Sequence, residues 1–158
     1  MNKFMMIADE MAKQNLLTDH GGPFGAVVVK SGTVVGVGHN QVVETNDPTA
    51  HAEIQAIRDA CKNLNTFDLS GCVLYTSCYP CPMCLSAIIW ANITDVYYGN
   101  TKEDAANIGF RDDKIYVYLK HLSENMIDPT LLLTPMDRDE TIKAFKEFKA
   151  KTENKTMY

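Results

Sequence analysis

Three side chains of metal-ligand type, His51, Cys81 and Cys84, fall in two groups far apart in the chain, and a fold that uses them must bring both groups to one point. The first group is His51-Ala52-Glu53 and the second is Pro80-Cys81-Pro82-Met83-Cys84. Imidazole nitrogen and thiolate sulfur are donors that zinc accepts, and C-x-x-C is a ligand spacing. The apolar run Val73-Leu74-Tyr75-Thr76 precedes the second group and Leu85-Ser86-Ala87-Ile88-Ile89-Trp90 follows it, which predicts a strand leading into a helix. Pro82 suits the first helical position, where its missing N–H is no loss. Cys81 then falls near the N-cap and Cys84 one turn later, so both thiols face one side. A second helix is expected over residues 49–64, capped by Asp47 or Thr49, with Ile54, Ile57 and Cys61 at helical spacing toward Leu64. His51 and Glu53 both belong to its first turn. Two helix N-termini then aim partial positive charge at one place, which favours thiolates and a bound hydroxide.

Two readings of the donor set stay open at this level. A catalytic zinc keeps three protein ligands and one open position, whereas a structural zinc is closed by four. Cys78 extends the motif to C-x-x-C-x-x-C, so with His51 it would close a Cys3His site in a zinc-stabilised scaffold or binding protein. The open site is favoured because Glu53 has no task in a closed one. Cys78 is expected to end the strand with its thiol turned away. An iron–sulfur site lacks a fourth cysteine at a suitable distance.

The 158 residues suit one domain, 1–158, with 151–158 a polar C-terminal tail. Five cysteines, an odd number clustered at ligand spacing, argue for a reducing compartment rather than a disulfide framework. No apolar run is long enough to cross a bilayer, and Met1 to Met11 carries Asp9 and Glu10 without a cleavage region, so a cytoplasmic location is expected. A net charge of −5 disfavours broad binding to nucleic acid. Lys143, Lys146, Lys149 and Lys151 read as the solvated face of a helix.

Along the chain, Phe4, Ile7, Ala8 and Met11 predict a first helix ending near Leu17-Thr18. Phe24 to Val29 and Thr33 to Gly38 predict a hairpin turning at Lys30-Ser31-Gly32. Gly25 inside a strand implies close approach of backbone or ligand. His20, His39 and His121 are not assigned to the metal. Further elements are a strand at Ile93–Tyr98, a short polar helix at Thr101–Asn107, a short strand at Ile115–Leu119, an extended segment at Thr130–Thr134 and a helix from about Asp137 to Ala150. Alternating strands and helices after a hairpin imply a mixed α/β sheet covered on both faces.

The order H-x-E followed by P-C-x-x-C is the pattern of zinc-dependent nucleobase deaminases. Gly21-Gly22-Pro23-Phe24-Gly25-Ala26-Val27, Asn46-Asp47-Pro48-Thr49-Ala50, Tyr75-Thr76-Ser77-Cys78, Ala105-Ala106, Gly109-Phe110 and the terminal Tyr158 extend the match over nearly the whole length. The chain resembles the cytidine deaminase superfamily, in the branch holding bacterial guanine deaminases and tRNA adenosine deaminases, and is more like the former. The resemblance implies a three-layer αβα sandwich around a mixed five-stranded sheet, one zinc ion per chain, and a homodimer whose C-terminal segments exchange to cover the active site. It implies zinc ligation by His51, Cys81 and Cys84, with Glu53 as proton shuttle. It implies substrate contacts from Asn40, Phe24, Ala52, Trp90, Phe110, Asp112 and Tyr158. The implied reaction is hydrolytic deamination of guanine to xanthine and ammonia. The alternatives are another aminoheterocycle (guanosine, an amino-triazine or cytosine) and adenosine in tRNA.

The chain departs from the pattern at two places. Tyr79 stands where Glu commonly precedes P-C-x-x-C, and Arg111 replaces an acidic residue before the loop carboxylate. Both fall near the expected pocket mouth, which makes the exact substrate less determined than the zinc chemistry.

Overall fold

The computed structural model describes residues 2–150, in two compact units that divide between Asp112 and Asp113. In the first unit, helix α1 (Lys3–Gln14) starts at Asn2, whose side-chain oxygen accepts the amides of Phe4 and Met5. It is followed by β1 (Gly25–Lys30), β2 (Thr33–His39), the four-residue α2 (Val42–Thr45) and α3 (Ala52–Leu64). Then come β3 (Cys72–Cys78), α4 (Pro82–Trp90), β4 (Asp95–Asn100) and α5 (Lys102–Asn107). The sheet runs β2-β1-β3-β4, antiparallel across the first two pairings and parallel between β3 and β4.

Alternation along β1 builds the layers. Ala26 and Val28 point to a core with Ala52, Ala56 and Ala60 of α3 and Ile88 of α4. Val27 and Val29 point the other way, onto Ala8, Phe4 and Ile7 of α1. The mixed sheet is thus covered on both faces, as expected. Small residues let the layers close. A Cβ on Gly25 would lie 2.1 Å from the Ala8 carbonyl oxygen, so the close approach expected there is to the backbone of α1. A Cβ on Gly38 would lie 2.4 Å from the Ala52 carbonyl oxygen, so glycine lets the first turn of α3 rest on β2. That contact fixes where His51 is presented.

Three expectations need correction. The sheet has four strands among the described residues, because Ile115–Leu119 is helical. In the second unit α6 (Asp113–Ser123) takes that segment, and α7 (Arg138–Ala150) follows. Ile115, Val117 and Leu119 alternate as a strand would, but Ile115, Leu119 and Leu122 also fall at helical spacing. Asp113 in the first turn and Lys120 and His121 in the last suit the helix dipole. Second, α1 stops at Gln14 rather than near Leu17-Thr18; Asn15 is its C-cap, and its side chain bonds the carbonyls of Gly22 and Asn40. Third, neither Asp47 nor Thr49 caps α3. Asp47 instead accepts the Thr49 amide and hydroxyl in a turn, and His51 is the N-cap.

Candidate active site

The two ligand groups meet because two helices begin beside each other. His51 is the N-cap of α3 and Cys81 the N-cap of α4, both in extended backbone, and neither side chain caps its own helix. Pro82 starts α4 as expected, and Cys84 lies one turn in. Cys81 Sγ and Cys84 Sγ each lie 3.6 Å from His51 Nδ1. Zinc–nitrogen and zinc–sulfur bonds of about 2.1 and 2.3 Å at a tetrahedral angle would hold nitrogen and sulfur about 3.6 Å apart. Both nitrogen–sulfur distances are therefore those that zinc requires, and the three ligand atoms lie within 4.8 Å of one another, a group that could hold a metal ion.

The charge distribution agrees. A hydrogen bond from the Cys84 thiol, with another from His51, holds the Cys81 thiol down to about 4. Cys84 is pushed up by sharing that proton with Cys81, by burial and by the charge of Glu53. The His51 imidazole is raised, chiefly by its bond to Cys81. Two sulfurs and an imidazole thus crowd around one negative charge in a half-buried corner, a donor set that a divalent cation satisfies.

Glu53 stands beside this triangle and is not part of it. Its carboxyl is 6% exposed. Oε1 accepts the Thr76 hydroxyl at 3.2 Å and Oε2 lies 3.5 Å from Cys84 Sγ. Burial raises its pKa above the usual carboxylate range. Cys78 is turned away: its thiol donates to the Thr101 carbonyl at 3.5 Å, and burial pushes it up to about 11. It stands outside the ligand group, so no fourth sulfur closes the triangle among the described residues.

The expected substrate contacts divide. Asn40 is buried, with Oδ1 accepting the Val42 amide at 3.1 Å, and its amide nitrogen has no partner among the described residues. Phe24 and Phe110 pack edge to face at 5.0 Å. Ala52 is fully buried between His51 and Glu53. Asp112 is half-buried, and its charge reaches both His51 and Cys78. Trp90 ends α4, about 9 Å beyond Cys84 by helical rise, and is 64% exposed. Tyr158 lies outside the described residues. Tyr79, the departure from the family pattern, packs edge to face on Tyr98 at 5.0 Å, with Lys102 Nζ 4.5 Å from its ring centre.

Two supports were not foreseen. Thr76 orients Glu53. Asn15 donates from its amide to the carbonyls of Gly22 and Asn40, both at 2.7 Å, tying the loop before β1 to the residue after β2. Thr76 is legible in the sequence only as part of a strand and of the family-like stretch Tyr75-Thr76-Ser77-Cys78, and Asn15 only as a residue of the first helix, so neither signal points to this role.

Residues 1–100 match the family described as the cytidine and deoxycytidylate deaminase zinc-binding region. The guanine deaminase of Bacillus subtilis is 43% identical over 150 residues, covering 95% of this chain and 96% of that protein. An X-ray structure of guanine deaminase from Bacillus subtilis superposes over 100% of both chains, with a TM-score of 0.87 and 41% identity. A tRNA-specific adenosine deaminase of Aquifex aeolicus is 47% identical, but over 76 residues, 48% of this chain and 50% of that protein.

Proposed function

The chain belongs to the cytidine and deoxycytidylate deaminase family, and from that premise we propose that it hydrolyses guanine to xanthine and ammonia. The observation that carries this reading is the triangle of His51, Cys81 and Cys84 with the buried Glu53 carboxyl beside it, in a chain alike to a guanine deaminase from end to end. Similarity to the tRNA enzyme stops at about half the chain, which favours a free base over a tRNA adenosine.

One zinc ion per chain, held by His51, Cys81 and Cys84, would supply Lewis acidity that brings water's pKa toward neutrality. Glu53 takes a proton from the attacking water and passes it to the ring nitrogen beside the amino-bearing carbon. A second transfer through the same carboxyl leaves the departing amine as ammonia. Thr76 holds Oε1, so Oε2, on the side of Cys84, is the oxygen that carries the proton. Burial keeps that carboxyl basic enough to accept it. Asn40 donates from its amide nitrogen to the base, because its oxygen is engaged by Val42. Asp112 accepts from guanine N–H groups, and Phe24, Phe110 and Ala52 flank the ring.

The protein acts as a cytoplasmic homodimer. Support comes from the five free cysteines, two of them ligands that oxidation would remove, and from the exposed Ile89 and Trp90 of α4. No helix among the described residues is long and apolar enough to cross a membrane.

An ammonia-release assay across guanine, guanosine, adenine, cytosine and amino-triazines tests the substrate, with guanine expected to turn over fastest. Preference for cytosine over every purine would overturn that choice. Glu53→Gln should lower kcat by roughly 10² to 10⁴ while zinc content stays at one per chain. Near-normal turnover in that variant would remove Glu53 from proton transfer.

A further inference from the structure

A second donor group is formed by the half-buried His20 and His39 and the exposed Glu44, with one ligand atom from each within 4.8 Å of the others. We propose that it is a divalent metal site separate from the catalytic triangle, taking Zn2+ or another imidazole-preferring first-row ion. His20 Nδ1 and Glu44 Oε2 stand 3.4 Å apart, the edge of a tetrahedron with bonds of about 2.1 Å. Gln41 Nε2 donates to the same Glu44 oxygen at 2.9 Å and holds the carboxylate in place. The His20 and His39 rings are stacked at 5.9 Å.

The tautomer of His39 follows from its hydrogen-bond partner. Asn15 spends its amide N–H groups on two carbonyls at 2.7 Å, so its oxygen must be the atom facing His39 Nδ1 at 2.9 Å. An oxygen there requires a proton on Nδ1, which leaves the Nε2 lone pair free. A ring nitrogen bonded to a carbonyl, with the other one bare, is the arrangement that prepares a histidine for a metal. Both His20 and Glu44 side chains are 39% exposed, so an ion can reach them and they can swing the last ångström inward. Asn15 also holds the carbonyls of Gly22 and Asn40, so an ion here would brace the loop that carries Asn40.

The test uses the full, untagged, zinc-loaded chain titrated with Co2+. With the thiolate site filled by zinc, the protein should take up one further equivalent of Co2+, seen as weak d–d absorption without a thiolate charge-transfer band. His20→Ala should abolish that uptake and leave the first zinc in place; Glu44→Gln, which keeps shape and removes charge, should weaken it about tenfold or more. No Co2+ uptake by the parent chain would overturn the proposal. So would uptake that survives both substitutions, or uptake carrying the thiolate band, which marks exchange at the cysteines.

Discussion

Gly21→Ala adds one methyl group at a place where the structure has no room for it. A Cβ there would lie 2.0 Å from Asn40 Oδ1 and 3.0 Å from both the Asn40 Cγ and its main-chain oxygen. The main chain of Asn40 cannot give way easily. Its carbonyl accepts from Asn15 at 2.7 Å and its amide donates to Phe24 at 3.1 Å. The carboxamide must therefore retreat by about 1 Å, breaking its bond with the Val42 amide. Misplacement of a substrate-positioning group by about 1 Å costs about 10²-fold, which is about 2.7 kcal/mol of transition-state stabilisation. The expected result is a kcat/KM for guanine lowered about 10²-fold, with zinc content unchanged, since His51, Cys81 and Cys84 lie outside the clash. Asn40→Ala provides the reference. If the loss acts through Asn40, adding Gly21→Ala to Asn40→Ala costs little more. A Gly21→Ala enzyme within a few-fold of the parent, or a double variant far worse than Asn40→Ala, would refute the reasoning.

Thr76→Val removes the hydroxyl that orients Glu53 Oε1 while keeping the strand's shape, and kcat should drop about tenfold at constant zinc content, the scale of one hydrogen bond of roughly 1.4 kcal/mol. Cys78→Ser should keep one zinc per chain, since that thiol bonds the Thr101 carbonyl, whereas Cys81→Ser should lose it; loss of zinc from Cys78→Ser in metal analysis would restore the closed site. In the second unit, hydrogen bonds from Thr130, and then from His121, hold the Asp128 carboxyl below the usual aspartate range. Its contribution is therefore full above the unfolded aspartate value of about 3.9 and is lost as pH falls through the lower folded value. Thermal melts at stepped pH should show parent and Asp128→Asn chains converging only below that value; a gap that widens with acid would contradict the assignment.

The ligand chemistry is legible in the sequence alone. His51, Cys81 and Cys84 announce themselves by donor type and spacing. Pro82 and the flanking apolar runs place both cysteines at the start of a helix, because caps and periodicity are local properties of the chain. The layered mixed sheet followed from the same local patterns. What surrounds the ligands did not. Ile115–Leu119 satisfies the strand and helix periods alike, so periodicity could not choose. The direction of the Cys78 thiol and the exposed position of Trp90 depend on how β3 and α4 pack, not on their own residues. Asn15 and Thr76 matter only because the fold sets them against Asn40 and Glu53, residues distant in sequence. Sequence by itself determined which atoms can bind and carry protons; tertiary packing decided which of them face one another, since orientation across separate elements is set by contacts that no local pattern contains.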